Sequence, residues 1–286
     1  MESVYLTIDV EDWFQVENLR PAFPISTWDS QTWRLEANID RLLNILDNND
    51  CLATFFVLGF VAERFPDLVK KIADQGHEIA SHGYNHALLY ELPDEEVVED
   101  LSSSKKLLED IIGNQVYGYR APSFSISDRT LKLVKCAGYQ YDSSYNNFGS
   151  HGRYGQLSLS EWEETEPGVY RHYDSAFYEI PIQNLNWHGF TIPWGGGGYF
   201  RFIPLDLFMK GISKILETKP YIFYLHPWEI DEKQPEVQNI SIFNKLRHYY
   251  NISETANRFQ KLVKKYRTHN LMKGITIEGE SPNNIN

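Results

Sequence analysis

Short apolar runs alternate with longer amphipathic stretches along most of this chain. Such alternation is typical of strand, helix, strand units, which build parallel β-sheets. The apolar runs predict six strands, at residues 4–8, 52–57, 78–81, 115–119, 178–182 and 221–225. Apolar positions at helical spacing predict the helices, at residues 35–46, 61–73, 97–112, 131–137, 205–216 and 253–266. Gly138 is expected to end the fourth helix and Ser253 to cap the sixth.

At least five strand–helix units predict an α/β fold, either a barrel or an open sheet. Residues 147–173 interrupt the pattern because they are polar and rich in Gly, Ser and Glu, which predicts an excursion over the surface. Residues 276–286 hold Gly279, Pro282 and three Asn, and are expected to form a mobile tail. A chain of 286 residues, 42% of them hydrophobic, can bury one substantial core, so we expect a single domain over residues 1–275.

The formal net charge of −12 argues against nonspecific binding to nucleic acid or to an anionic membrane. No apolar run approaches the roughly 18 residues that a transmembrane helix needs. The two cysteines lie in apolar segments, and no cationic segment precedes the first strand. We therefore expect a cytoplasmic protein without a disulfide framework.

Polar clusters begin where the predicted strands end. Asp9, His82, Arg120 and His226 each follow directly after a predicted strand. In α/β barrels the active site is built at this carboxyl-terminal rim of the strands. We therefore expect these four side chains to lie at one end of the fold.

His82 and His86 have a spacing that lets two imidazoles bind one metal ion, with a carboxylate as a further ligand. Asp9, Glu11 and Asp12 place three acidic groups within four positions, and such crowding is costly without a cation. The alternatives are that the two histidines are surface residues of a loop and that Asp12 caps a following helix.

Five motifs together resemble the NodB-like polysaccharide deacetylases, carbohydrate esterase family four, and especially the branch found in exopolysaccharide gene clusters. They are Asp9-Val10-Glu11-Asp12, residues 82–86, Arg120-Ala121-Pro122, Asp142-Ser143-Ser144 and residues 225–229. The resemblance implies a distorted (β/α) barrel and one divalent metal, usually zinc, with cobalt, manganese or nickel as alternatives. It also implies an N-acetylated oligosaccharide or polysaccharide, or its precursor, as the substrate.

Residue by residue, the resemblance makes Asp9 the catalytic base, Arg120 the group that orients it, and His226 the catalytic acid. Asp142 would orient His226. His82 and His86 would bind the metal, together with either Glu11 or Asp12. An Asp-x-Asp spacing favours Glu11, whereas the usual preference for an Asp ligand favours Asp12.

For substrate binding, the resemblance gives Ser123 a backbone N–H that faces the oxyanion, and places Leu225 beside the acetyl methyl group. Trp228 and Tyr199 are candidates for stacking on sugar rings, although core packing would also explain aromatic residues here. Residues 195–198 are four consecutive glycines without the spacing of a phosphate loop. They form either a disordered surface loop or a close approach of the backbone to a ligand.

Three functions are consistent with these motifs. The first is removal of N-acetyl groups from amino sugars by a metal-activated water molecule. The second is hydrolysis of a small amide, as in allantoinase-like relatives of the barrel, and the third is sugar binding by a pseudoenzyme. A cytoplasmic deacetylase would act on a lipid-linked or nucleotide-linked sugar, or on a short oligosaccharide, before export.

Overall fold

The computed structural model describes residues 4–148, 154–238 and 240–274. In these residues the strands are β1 Val4–Val10, β2 Thr54–Val57, β3 Glu78–Ser81, β4 Gly118–Tyr119, β5 Tyr141–Asp142, β6 Trp162–Glu166, β7 Val169–His172, β8 Tyr178–Glu179, β9 Leu185–Trp187, β10 Phe190–Ile192, β11 Tyr221–Leu225 and β12 Thr268–His269. Ten of them form one sheet, in the order β11-β1-β2-β3-β4-β5-β8-β7-β6, with β12 also paired to β1. Strands β9 and β10 form a separate hairpin.

All pairings from β11 to β8 are parallel, and helices lie between most successive strands. The helices in the described residues are α1 Leu35–Asp47, α2 Gly59–Arg64, α3 Pro66–Asp74, α4 Asp94–Ile112, α5 Asp128–Cys136, α6 Gly197–Phe202, α7 Leu205–Leu216, α8 Ile242–Tyr249, α9 Ile252–Lys265 and α10 Leu271–Gly274. This curled, mainly parallel sheet with its helices is a distorted barrel, so the predicted α/β class is confirmed.

Alternation along the strands divides their side chains between two cores. In β1, Val4, Leu6, Ile8 and Val10 belong to the larger core, which also contains the buried faces of the helices. Residues of the opposite face, such as Phe56 of β2, belong to a smaller core inside the curl of the sheet. Successive side chains of a strand point to opposite faces, so the polar residues that alternate with the apolar ones of β1 face this interior.

Two helix predictions need correction. The helix predicted at residues 61–73 is two helices, α2 and α3, because Pro66 has no backbone N–H to continue the first and begins the second. The predicted cap Ser253 lies inside α9, which begins at Ile252 after Asn251 in a left-handed conformation with φ of 56°. Gly138, with φ of 83°, follows α5 as predicted.

The surface excursion contains structure that the sequence did not predict. Strands β6 and β7 form an antiparallel hairpin, and β7 continues the sheet by antiparallel pairing with β8. Four of the five residues of β6 are exposed, so this hairpin is a solvent-facing edge of the sheet. Residues 149–153 of the excursion and the predicted tail at 276–286 lie outside the described residues. No helix within the described residues is long and apolar enough to cross a bilayer.

Candidate metal and catalytic site

A cavity of about 110 Å³ lies at the carboxyl ends of the strands. Its lining combines acidic, imidazole and aromatic groups that are distant in the sequence. Among the candidates from the sequence, those that line it are Asp9, Glu11, His82, His86, Ser123, His226 and Trp228. The four strand ends that carry Asp9, His82, Arg120 and His226 therefore meet in one region, since Arg120 also contacts Asp9.

Asp9 and Glu11 face this cavity because β1 extends through Val10. Thr7, Asp9 and Glu11 alternate with the core residues Ile8 and Val10, which places their side chains on the inner face of the sheet. The intervening valine of the first motif is thus a strand residue that packs outward.

Glu11, His82 and His86 form a group that could hold a metal ion, with ligand atoms within 4.8 Å of one another. Oε1 of Glu11 lies 3.2 Å from Nε2 of His82 and 2.9 Å from Nε2 of His86. The Nδ1–H of His82 donates to the carbonyl oxygen of Arg120 at 2.7 Å, which orients the ring so that Nε2 faces Glu11. All three side chains are buried. Two imidazoles and one carboxylate are a donor set that suits zinc and similar divalent ions.

The electrostatics of Glu11 fit this arrangement. Burial by itself would raise the pKa of Glu11, but His86 and His226, together with hydrogen bonds from both histidines of the cluster, hold it well below its usual value. The carboxylate is therefore ionised, as a metal ligand must be.

Asp12, the competing candidate, does not join this group. Its Oδ2 accepts the backbone N–H groups of Arg34 at 2.6 Å and Leu35 at 3.0 Å, at the start of α1. Its Oδ1 accepts the N–H of Trp13 at 2.8 Å. Both oxygens are engaged on the side of the chain away from the cavity, and the capping alternative describes Asp12 correctly.

Asp9 is held by a buried guanidinium. Nη1 of Arg120 donates to Oδ1 of Asp9 and to Oγ1 of Thr7, both at 2.7 Å. The rest of the guanidinium is fixed by Ser143, through its carbonyl oxygen at 2.9 Å and its Oγ at 3.0 Å. Oδ2 of Asp9 remains on the side facing His226, whose Nε2 lies 3.8 Å away.

The partner of His226 is Glu229, and the expectation that Asp142 orients His226 is wrong. Nδ1 of His226 lies 2.7 Å from Oε1 of Glu229. Asp142 is buried elsewhere, where its two oxygens accept the backbone N–H and the hydroxyl of Ser144 at 2.9 and 2.7 Å. Glu229 is in turn fixed by Nε of Arg201 at 2.9 Å. The His226–Glu229–Arg201 chain thus runs from the cavity into the core.

This chain favours the protonated form of His226. Burial would lower the pKa of His226, but the charge of Glu11, the hydrogen bond and charge of Glu229, and Asp9 together raise it to about 9. Because Nδ1–H points at Glu229, the Nε2–H is directed toward the cavity and Asp9.

The expected substrate residues divide into two groups. Ser123 and Trp228 line the cavity, and Ser123 has an unusual φ of 53° for a residue other than glycine. Leu225 does not line it, because its position in β11 directs the side chain into the larger core, whereas Tyr224 and His226 face inward. Tyr199 is half-buried and is also not among the cavity residues.

The glycine run is not an exposed loop. Gly195, Gly196 and Gly197 are buried, and a Cβ on Gly196 would lie 2.0 Å from the carbonyl oxygen of Tyr224. Gly196 also has a φ of 143°, which other residues rarely adopt. The glycines therefore allow the chain to approach β11 closely, and Gly197 and Gly198 line the cavity.

Sequence reasoning missed that Glu229 is the partner of His226, and it missed Arg201 and His248 altogether. Glu229 carries a local signal, since it lies three residues after His226 and bonds back to its backbone N–H at 3.2 Å. Arg201 reaches Glu229 from a distant segment, and no local pattern reveals this. His248 lines the cavity, stacks on Trp228 at 4.4 Å and bonds through Nε2 to Gln234 at 2.7 Å.

Comparison with known proteins adds two family matches. Residues 18–141 match the family described as polysaccharide deacetylase, and residues 143–275 match a domain of unknown function, DUF3473. The two matches meet at β5, within the ten-stranded sheet.

Relatives of this chain include named deacetylases. A peptidoglycan deacetylase of Helicobacter pylori is 34% identical over 115 residues, covering 40% of this chain and 39% of the relative. A peptidoglycan-N-acetylglucosamine deacetylase of Bacillus cereus is 36% identical over 100 residues, covering 35% of this chain and 46% of the relative. The matches thus span less than half the length of either relative.

The fold is also found in solved structures. A Mycobacterium smegmatis protein assigned to the polysaccharide deacetylases has a TM-score of 0.56 at 20% identity, covering 94% of this chain and 92% of the other. At this identity the likeness concerns the fold alone.

Proposed function

Because this chain belongs to the polysaccharide deacetylase family, carbohydrate esterase family four, we propose that it is a metal-dependent hydrolase that removes N-acetyl groups from amino sugars of a glycan or an exopolysaccharide precursor. The observation that carries this proposal is that a carboxylate and an imidazole face each other in the cavity. Oδ2 of Asp9 faces Nε2 of His226 at 3.8 Å, beside the cluster of Glu11, His82 and His86. A base and an acid fixed at this separation suit cleavage of an amide.

Glu11, His82 and His86 would hold the ion, which we propose to be zinc, with cobalt, manganese or nickel as alternatives. When bound, a divalent ion supplies a Lewis acid for the acetyl carbonyl and lowers the pKa of water. Arg120 aligns both the metal ligand His82 and the base Asp9. Its backbone carbonyl accepts the Nδ1–H of His82, and its guanidinium donates to Asp9.

Asp9 acts as the base through Oδ2. Its Oδ1 accepts a hydrogen bond from Arg120, whereas Oδ2 faces His226 and the cavity, where we propose that the attacking water lies. The guanidinium also prevents the carboxylate from rotating, because it is itself fixed by Ser143 and Thr7. This geometry supports proton abstraction from a water molecule positioned between Asp9 and the acetyl carbon.

His226 supplies the proton that the departing amine requires. With a pKa raised to about 9, most of its imidazole is protonated at neutral pH. Glu229 accepts the Nδ1–H, so the proton that can be transferred is the one on Nε2, which faces the cavity. An amine is a poor leaving group unless it is protonated, and this arrangement supports the cleavage step.

The cavity supports an acetamido group as the buried part of the substrate, since a volume of about 110 Å³ admits an acyl group and a water. The names of the relatives indicate acetylated amino sugars of peptidoglycan. We propose a cytoplasmic location, which is supported by two free cysteines, one of them the exposed Cys136.

The test is acetate release from N-acetylglucosamine oligomers by metal-free protein supplied with zinc or cobalt. We expect metal-dependent release that is lost in Asp9→Asn and in His82→Ala. Asp50→Asn is the matched control, because Asp50 is exposed and its φ of 50° is tolerated by asparagine. Equal activity in a chelator, or equal activity of Asp9→Asn and Asp50→Asn, would overturn the proposal.

A further inference from the structure

An unusually apolar surface, here called the apolar ridge, lies on α8 and the end of α6. It consists of five residues, whose exposed fractions are 86% for Ile242, 69% for Phe243, 55% for Leu246, 42% for Tyr250 and 40% for Phe202. Ile242, Leu246 and Tyr250 follow one another at intervals of four residues, which places them along one face of the helix and its end. The ring of Tyr250 stacks on that of Phe202 at 4.5 Å. The ridge is therefore continuous rather than a set of scattered exposed residues.

The ridge is fixed relative to the catalytic cavity. Arg247 and His248, on the neighbouring faces of α8, both line the cavity. Arg201 holds this end of α8 by donating to the carbonyl oxygens of His248 at 2.7 Å and Arg247 at 3.0 Å, and the same guanidinium holds Glu229. Arg247 thus belongs to the cavity lining and directly follows Leu246 of the ridge in the same helix.

The side chains of the ridge limit what can bind there. Ile242, Phe243 and Leu246 have no polar side-chain atom and are the three most exposed members of the ridge, so this part of it suits a hydrocarbon chain. Arg247 lines the cavity and is adjacent to Leu246 of the ridge in α8, and a guanidinium in this place suits a phosphate. The net charge of −12 disfavours general attachment to an anionic bilayer, which leaves an individual amphiphilic molecule as the better occupant.

We propose that the apolar ridge binds the hydrocarbon chain of a phosphate-linked glycolipid, with the phosphate at Arg247 and the N-acetylated sugar in the cavity. The ridge and Arg247 carry the lipid and phosphate parts of this proposal, whereas the position of the sugar rests on the proposed function. The sugar, phosphate and lipid parts of such a molecule correspond to the cavity, to the cation in its lining and to the apolar residues on the same helix.

Binding is tested first with a probe that has no acetyl group, geranylgeranyl diphosphate, by titration calorimetry below its micellar concentration. We expect the double variant Phe243→Ser/Leu246→Ser to bind it about tenfold more weakly than the wild-type protein, since two large apolar contacts are lost. Val98→Ser is the matched control, because Val98 is 43% exposed on another helix, α4, and we expect it to leave the affinity unchanged. Equal affinity of all three proteins would overturn the proposal.

Kinetics then compare farnesyl-diphospho-N-acetylglucosamine with uridine-diphospho-N-acetylglucosamine, which share the sugar and the diphosphate. The wild-type protein is expected to prefer the lipid-linked substrate in kcat/KM, and the double variant to lose about tenfold on that substrate alone. A loss on both substrates, or a change of oligomeric state in sedimentation without a change in lipid binding, would overturn the proposal and make the ridge a protein interface. Failure of both substrates to release acetate would contradict the proposed function, while the calorimetric result would still decide the lipid site.

Discussion

Replacing Glu229 by glutamine tests how the acid His226 is kept protonated. The variant keeps the size of the side chain but removes the charge that lies 2.7 Å from Nδ1 of His226. Since that charge and its hydrogen bond help to raise the pKa of His226 to about 9, the variant should lower that pKa. The imidazolium then loses its proton at a lower pH, and the alkaline limb of kcat/KM moves to lower pH.

The magnitude follows from the size of the shift. Raising the pKa from 6.5 to about 9 stabilises the protonated form by about 3 kcal/mol, to which Glu11, Glu229 and Asp9 all contribute. Loss of the Glu229 share is expected to move the limb by roughly one unit. At pH 8 the protonated fraction of His226 then falls from about nine-tenths to about one-half, so we expect kcat/KM to fall about twofold at pH 8 and about tenfold at pH 10.

The assay is acetate release from N-acetylglucosamine oligomers between pH 6 and pH 10, at saturating metal. Asp142→Asn is the matched control, because Asp142 is an equally buried carboxyl group whose hydrogen bonds go to Ser144 rather than to His226. The reasoning is refuted if Asp142→Asn shifts the alkaline limb and Glu229→Gln leaves it in place.

Five other substitutions test separate features of the fold and the metal site. Asp12→Ala removes the acceptor for the first N–H groups of α1, so the free energy of unfolding in urea should fall by about 2 kcal/mol. The metal affinity of the Asp12→Ala variant should equal that of the wild-type protein, whereas Glu11→Gln should weaken metal binding in a chelator competition. The reverse pattern would show that Asp12, and not Glu11, is the ligand. Burial lowers the pKa of His77 from 6.5 to about 4. As the pH falls, His77 therefore takes up its proton at a higher pH in the unfolded protein than in the folded protein. The free energy of unfolding should consequently drop by about 2 kcal/mol between pH 7 and pH 5. His77→Asn should remove most of this drop in urea unfolding, and an unchanged pH dependence would contradict the assignment. Gly196→Ala should cost more than about 2 kcal/mol because its Cβ meets the Tyr224 carbonyl, whereas Gly198→Ala, with more space, should cost less than about 1 kcal/mol in the same assay.

Most of the fold could be predicted from the sequence because the long strands are apolar runs and most helices have a clear period. The exceptions have physical reasons. Strand β5 has only two residues, too few for a pattern, and it is held by pairing with β4 and β8 rather than by its own composition. Strand β6 is rich in glutamate because it lies at an exposed edge of the sheet, so its composition resembles that of a loop.

The chemistry of the site was predictable from the motifs, but the assignments within them depended on where each strand ends. The choice between Glu11 and Asp12 follows only from the extension of β1 through Val10, which places Glu11 on the same face as Asp9. The partner of His226 was missed because the sequence places Asp142 and Glu229 in separate motifs and does not give their distances. Arg201 approaches Glu229 through tertiary packing, which leaves no signal in local spacing.

The most direct test of the central claim is a titration of metal-free protein with zinc, in which bound metal and acetate release are measured on the same samples. We expect both to saturate together at one ion per chain, and Glu11→Gln to require more metal for each. Acetate release that is complete before any metal binds, or none from protein that has bound one ion, would contradict the account.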